Sequence, residues 1–326
     1  MVLVSGVLSA AYAGTCGVYS GPELVAEVSG SSVEEASGLA VSRTRDGVFF
    51  THGDHGDEPV IVAFDRTGAL IGEHTVVDAE NRDWEDIAAA PCPDEGDCLY
   101  IGDIGDNEGD HPSITVYVVR EPREGDDRIR TIASYVGSYP DGAQDAEALM
   151  VQPCTGRIHL VTKADDGLST VYRFPLFPED PVVLEEVAKV EFLGPTPASR
   201  EVTGGAWDDD GQRLALRTTD RVYEWATDPA QPNAHWLDAP TELAGAGEAQ
   251  GEAIAYGPDG NLYSTGEGAT IPLTEYTCDD LGSSDVPCEF PQTGRSCGCA
   301  IGVGSAAEFG GWLWVAMAAV ALRRRP

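Results

Sequence analysis

Short apolar runs, broken at regular intervals by turn sequences, fill the chain from residue 40 to residue 280. One set reads GVFF (47–50), CLYIGD (98–103), RIHLVTK (157–163), RLALRT (213–218) and NLYST (261–265). A second set follows it: VIVAF (60–64), ITVYVV (114–119), TVYRF (170–174), RVYEW (221–225) and PLTEY (272–276). The runs are rich in β-branched and aromatic residues and stop at turns such as Asp208-Asp209-Asp210-Gly211 and Gly257-Pro258-Asp259-Gly260. That is the pattern of β-strands. No helical period competes with it before residue 300.

A short motif precedes each pair of runs. It reads Glu35-Ala36-Ser37-Gly38, Asp83-Trp84-Glu85-Asp86, Asp145-Ala146-Glu147-Ala148, Glu201-Val202-Thr203-Gly204 and Gln250-Gly251-Glu252-Ala253. With a weaker fourth run ending most units, four strands recur about every 50 to 60 residues, which predicts a β-propeller. The expectation is an all-β fold: a single propeller over 14–290, with five blades of four strands and six as the alternative. The last unit has only three strands before Cys278, and Glu23–Val28 can supply the fourth, so 22–29 should pair beside 272–277.

The first strand of a propeller blade lines the central channel. The third motif position therefore brings Ser37, Glu85, Glu147, Thr203 and Glu252 to one height on the axis. Clustered carboxylates repel unless a cation neutralises them. Ca²⁺ suits such a ring because it takes six to eight oxygens in loose geometry, whereas Mg²⁺ demands a tight octahedron. Glu35, Asp83, Asp145, Glu201 and Gln250 would support the ligands or add to them. The plainer alternative is that all these groups bond to neighbouring backbone.

In this ring the chain resembles the calcium-activated nucleotidases, or soluble apyrases. The resemblance implies a five-bladed propeller with central calcium held in the order Ser, Glu, Glu, Ser, Glu. Thr203 is the one departure and keeps a hydroxyl. The likeness covers the blade motif alone. Phytase-like and lactonase-like propellers are similar more loosely, and they too imply channel calcium.

Around the ring the loops are acidic: Gly53-Asp54-His55-Gly56-Asp57 and Gly102-Asp103-Ile104-Gly105-Asp106-Asn107 share the form G-D-x-G-D. Arg82, Lys163, Arg200 and Arg217 fall at the same end of their units and could bind a phosphate, with an Asp, Glu, His52 or His55 activating water. These features predict a small-molecule or surface ligand at a mouth lined by Arg82, Asp54, Asp57, Asp103, Asp106, Asn107, Lys163, Arg200 and Arg217. Two functions compete: a calcium-dependent hydrolase of phosphate esters, phosphoanhydrides or lactones, and a non-catalytic binding propeller with structural calcium. Neither a phosphate-binding G-x-x-x-x-G-K-[ST] loop nor a G-x-S-x-G serine elbow is present. Trp84, Trp207, Trp225 and Trp236 are expected to pack between blades.

Charge narrows the picture. Fifty-five acidic residues face twenty Lys and Arg, a formal net charge of −35, so phosphate backbones repel the surface and nucleic acid is excluded as a partner. Residues 1–13 end in Ala11-Tyr12-Ala13, a signal-peptide cleavage pattern lacking the usual basic start. In 291–326, a linker leads to Cys297-Gly298-Cys299, an apolar run at 310–322 expected to form an anchor helix, and Arg323-Arg324-Arg325. This resembles the sorting tails of myxobacterial surface proteins. It implies processing near Cys297 by export and sorting machinery, membrane attachment, and display at the bacterial envelope or surface. Eight cysteines fit such an oxidising setting. Cys92 with Cys98, and Cys278 with Cys288, are candidate disulfides, and a bond from Cys16 to Cys278 or Cys288 would reinforce ring closure.

Overall fold

The computed structural model describes residues 16–56, 58–228, 231, 233–281, 288, 290 and 291. The segments expected to be a signal peptide and a sorting tail with Cys297 and Cys299, and Asp57, lie outside them. In chain order the strands are β1 (Tyr19–Ser29); β2 (Ala40–Val41), β3 (Val48–His52), β4 (Val60–Asp65) and β5 (Leu70–Val77); β6 (Trp84–Pro91), β7 (Asp97–Asp103), β8 (Ile114–Arg120) and β9 (Arg128–Ser138). They continue with β10 (Ala146–Gln152), β11 (Arg157–Thr162), β12 (Leu168–Arg173), β13 (Val182–Val183) and β14 (Glu185–Glu191). β15 (Val202–Trp207), β16 (Arg213–Thr218), β17 (Arg221–Ala226) and β18 (Thr241–Ala244) follow, then β19 (Gly251–Tyr256), β20 (Leu262–Gly266) and β21 (Thr270–Cys278). Two short 3-10 turns, Pro197–Ser199 and Ala234–Leu237, are the only helical elements among the described residues.

The strands form antiparallel meanders: β2-β3-β4-β5, β6-β7-β8-β9, β10-β11-β12-β14, β15-β16-β17-β18 and β19-β20-β21-β1. The innermost strands β2, β6, β10, β15 and β19 neighbour one another in cyclic order, and β19 returns to β2. A ring of radially stacked meanders is a β-propeller. β1 closes it by running antiparallel to β21, with Glu23 opposite Glu275 and Val28 opposite Ile271, as the missing fourth strand predicted. The first two meanders also join at the rim. The start of β9 reaches past β8 and pairs in parallel with β5 at Thr75–Arg128 to Val77–Arg130, giving one continuous nine-stranded sheet with β13.

Both faces of each meander are covered by its neighbours, so inner strands read as continuous apolar sequence. Every residue of β10, Ala146–Gln152, is buried. Large side chains fill the seams. Phe49 stacks on Phe64 and meets the edge of Tyr263 where the last meander abuts the first. Trp84 is completely buried beside β3, and Trp225 packs against Trp236, as expected of seam residues. Burying such side chains contributes roughly 1.5–3 kcal/mol each.

Three disulfides staple this frame, as an oxidising compartment permits. Cys92–Cys98 forms as anticipated. Cys278 and Cys288 do not pair with each other. Cys16 lies alongside the end of β21 because β1 closes the ring, and it bonds Cys278. Cys288 bonds Cys154 on the β10–β11 turn. The chain following Cys288 crosses that turn, where Phe290 packs against Phe177. Among the described residues no helix is long and apolar enough to cross a membrane.

Candidate cation site at the channel mouth

Each inner strand carries an irregularity at one place. Opposite β7, Trp84 pairs with Asp103 and Asp86 with Gly102, which leaves Glu85 as an extra residue. The same slip isolates Glu147 between Ala146 and Ala148, Thr203 between Val202 and Gly204, and Glu252 between Gly251 and Ala253. In the first unit, the bridge from Ala36 to Gly53 and the pairing of Ala40 with Phe50 differ by one residue of register, with Ser37 inside the slip. A β-bulge re-aims a side chain out of the pleat. Four of the ring residues predicted from the motif therefore sit on equivalent bulges, Ser37 lies within a similar slip, and each of the five is only 3–6% exposed.

The two hydroxyls bridge blades. Ser37 Oγ donates to the carbonyl of Glu85 at 2.7 Å and lies 3.4 Å from Glu85 Oε2. Thr203 Oγ1 donates to the carbonyl of Gly251 at 2.8 Å. Each hydroxyl thus spends its proton on neighbouring backbone and keeps oxygen lone pairs. The carboxylates crowd. Oxygens of Glu85, Asp145 and Glu147 lie within 4.8 Å of one another, as do oxygens of Asp54, Asp83 and Glu85. Of the flanking residues expected to support the ring, Asp83 and Asp145 join it. Gln250 is exposed yet bonds Glu252, Glu201 is half-buried, and Glu35 is exposed and within electrostatic reach of Glu267.

Burial, with repulsion from neighbouring acids, raises Glu85, Glu147 and Glu252 above the ordinary carboxylate range. Burial pushes Glu147 up to about 8, with Asp145 and Glu252 adding to it and Lys163 opposing. Glu252 rises to about 7 through burial and the charge of Glu267. Glu85 is raised well above its usual value by burial, then by Glu147, Asp54, Asp83 and Asp145.

The G-D-x-G-D loops build the rim. Asn81 donates to the carbonyls of Gly53 and Asp54 and accepts from Trp84 N, tying the first loop to β6. In the second loop Gly105 presses against the ring, where a Cβ would collide with the carboxylates of Glu85 and Asp83. Asp103 accepts from the backbone of Arg82 and Asp83, and Asp106 from that of Asp110 and His111. These two acids hold loops together. Asn107 is exposed beside them.

The predicted cations divide. Lys163 Nζ donates to Glu147 Oε1 at 2.6 Å. Arg82 is half-buried, bonded to the Ser113 carbonyl and 3.7 Å from Asp103. Arg200 is half-buried with its stem against Gly167. Arg217 cannot face a ligand. It is fully buried, and its guanidinium is spent on the carbonyls of Thr218, Thr219, Ala253 and Thr265 and on Glu248. His52 is not a base for bulk substrate either, because it is completely buried and burial lowers it to about 4. His55 is 70% exposed, with Nδ1 3.1 Å from Asp83 Oδ1.

Asp86, beside Glu85, escaped sequence reasoning. Fully buried, it accepts from Leu149 N and Gly205 N on two other inner strands and so ties three blades below the ring. An acid inside an otherwise apolar DIAAA run (86–90) was the available signal.

No protein-family model matches the sequence, and no curated protein matches it either. Among solved structures the chain is similar to the PQQ-bound aldose sugar dehydrogenase from Streptomyces coelicolor, at 12% identity over 81% of this chain and 99% of that one, with a TM-score of 0.48. It is also similar to the RRP9 WD40 repeats, at 13% identity over 74% of this chain and 67% of that one, with a TM-score of 0.38. Likenesses of this size do not bear on activity, and the strand topology alone carries the fold.

Proposed function

We propose that the chain is an exported, five-bladed propeller that binds calcium among Ser37, Glu85, Glu147, Thr203 and Glu252 at the mouth of its channel. The observation that carries this reading is the register slip repeated on the inner strands, at or beside each of five buried oxygen-bearing side chains. The donor set fits the ion: carboxylates and hydroxyls only, with no thiol or imidazole in the ring, which favours a hard cation over zinc. The hydroxyl protons are already placed on carbonyls, so their lone pairs are free to ligate. Three carboxylates raised by burial, with repulsion from neighbouring acids adding to it, are what a divalent cation would relieve. Calorimetric titration of the purified protein should give one calcium per chain, with weaker binding of magnesium. An absence of heat and of any calcium-dependent gain in melting temperature overturns the reading.

A second reading, a calcium-dependent hydrolase, is favoured by one observation. His55 is oriented by Asp83 through Nδ1 and leaves Nε2 toward solvent beside the ring, the arrangement of a general base. A panel of nucleotides, phytate, aryl phosphates and lactones, assayed with calcium and with chelator, tests it. Metal-dependent turnover that His55→Ala abolishes supports catalysis, and no turnover on any of them leaves a binding propeller. For display at the surface, deleting 297–326 should release the protein to the medium, and a truncated form that stays cell-bound overturns anchoring by the tail.

A further inference from the structure

The chain has only two lysines, every other strong cation being arginine. Lys189 lies on the outer strand β14, half exposed near Glu186. Lys163 is placed at the mouth. Its backbone N–H donates to the Asp145 carbonyl at 3.0 Å, which fixes the root of the side chain, and its ammonium reaches Glu147. That one charge acts on Glu85, Asp145 and Glu147, on Glu252, on Asp54 and on Glu267. These acids come from four of the five blades. The ammonium is bonded to the ring residue Glu147 and its charge is felt by the other acids, so it sits beside the place a central cation would take. A guanidinium would grip one carboxylate with a rigid fork, whereas an ammonium is a compact point charge on a flexible stem.

We infer that Lys163 is a tethered stand-in for the ring's cation: it occupies the carboxylate cluster without metal, and a divalent ion displaces it toward the mouth. This inference rests on the calcium reading. Displacement has two consequences. Calcium affinity is reduced by the fraction of molecules in which the lysine sits on Glu147, so a site occupied nine-tenths of the time binds about tenfold more weakly. The freed ammonium then stands at the rim of a site otherwise poor in available cations, since Arg217 is consumed within the fold. Metal binding would thereby present a positive group to an anionic ligand.

Reductive methylation of the wild-type protein, read by mass spectrometry with and without calcium, tests this directly, and Lys189 serves as internal control. Lys163 should be shielded in the metal-free protein and react several-fold faster with calcium, while Lys189 stays unchanged. If calcium binds and Lys163 reactivity stays the same or falls, the lysine remains on Glu147 and the inference is overturned. Lys163→Met separates this failure from failure of the calcium reading. It should bind calcium at least tenfold more tightly than wild type, with lower metal-free stability. If wild type binds none and Lys163→Met does, the lysine is a permanent substitute: the calcium reading falls and the stand-in survives. If neither binds and metal-free stability is unaltered, both fall. Lys163→Arg keeps the charge, guards against misfolding of the Met variant, and should bind calcium no better than wild type.

Discussion

Between the fourth and fifth blades, Arg213 lies among Asp208, Glu224, Tyr19 and Tyr256. Its Nε donates to Asp208 at 2.9 Å, one Nη donates to the Gly260 carbonyl and Tyr19, and its guanidinium covers the Tyr256 ring at 4.6 Å. Glu224 accepts from the hydroxyls of Tyr19 and Tyr256, and Asp208 from two backbone N–H groups. At the channel mouth, one ammonium bonds Glu147 and its charge also acts on Asp54, Glu85, Asp145 and Glu252. Both clusters are buried and acidic, yet the first sets one guanidinium against two carboxylates that also accept from tyrosine hydroxyls and backbone, whereas the second sets one ammonium against a larger group of acids whose other donors are few, such as Asp106 N on Asp145 and His55 on Asp83. Burial of charge is costly unless it is paired and hydrogen-bonded. The contrast teaches that a self-sufficient cluster serves the fold, while a cluster left short of positive charge is the one to examine for a ligand.

Removing the cation from each cluster gives the largest expected difference. Arg213→Met leaves Asp208 and Glu224 buried without their cation and should cost about 3–5 kcal/mol, read by urea denaturation, with no rescue by calcium. Rescue by calcium would mean that the closure cluster is also a metal site, and the distinction between the two regions would collapse.

Next in size is the ring. Glu147→Gln keeps the shape, removes one repelling charge and gives up the ion pair with Lys163; these changes oppose each other, so metal-free stability should change by less than about 1 kcal/mol, in the range of ordinary tolerated substitutions. In the wild type, calcium at a hundredfold excess over its dissociation constant should add about 2.7 kcal/mol. The variant should lose most of that gain, as should Glu85→Gln, whereas Glu185→Gln on an outer strand should keep it. A full calcium shift in Glu147→Gln removes that residue from the site.

Much of this contrast could be read in the sequence, for identifiable reasons. Strands were legible because β-branched runs alternate with turn residues, and the ring residues because one motif position repeats. The bulges were not legible, since a slip of one residue exists only relative to a partner strand. Arg217 and Lys163 looked alike as loop-end cations. Nothing local reveals that the first turns inward onto carbonyls while the second bonds the carboxylate of Glu147. Cys288 paired beyond its neighbour Cys278 because the partner depends on the path of the chain after ring closure, which no local spacing encodes.

Histidines show a third way to bury a polar group, which is to stay neutral. His159 is 1% exposed near Trp207, and burial, helped by the charges of Arg173 and His235, lowers it to about 3. The unfolded chain therefore takes up this proton first. The contribution of His159 to stability is complete above its ordinary value of about 6.5 and is lost as pH falls toward about 3. By pH 5 the loss should be about 2 kcal/mol. The ring acids act in the opposite sense, since Glu147 at about 8 and Glu252 at about 7 bind protons more readily folded than unfolded. Acid thus relieves the mouth and burdens the histidine. His159→Phe should raise the acid limb of a stability-versus-pH curve, leaving the protein about 2 kcal/mol more stable at pH 5, relative to pH 8, than the wild type. An unchanged limb would move the sensitivity elsewhere.

The smallest effect decides whether the ring hydroxyls belong to the fold or to the site. Thr203 Oγ1 hands its proton to the Gly251 carbonyl, which joins the fourth blade to the fifth. If that seam is its whole role, Thr203→Val loses one hydrogen bond, worth about 1 kcal/mol, equally with and without calcium. If the oxygen also ligates, the metal-free cost stays near that value but the calcium gain shrinks further, because a methyl group cannot coordinate. Thr203→Ser keeps the oxygen and should behave as wild type in both conditions. Melting temperatures of the three proteins, each with calcium and with chelator, separate the outcomes. Equal losses in Thr203→Val under both conditions would assign the hydroxyl to the blade seam and reduce the ring to its carboxylates and Ser37.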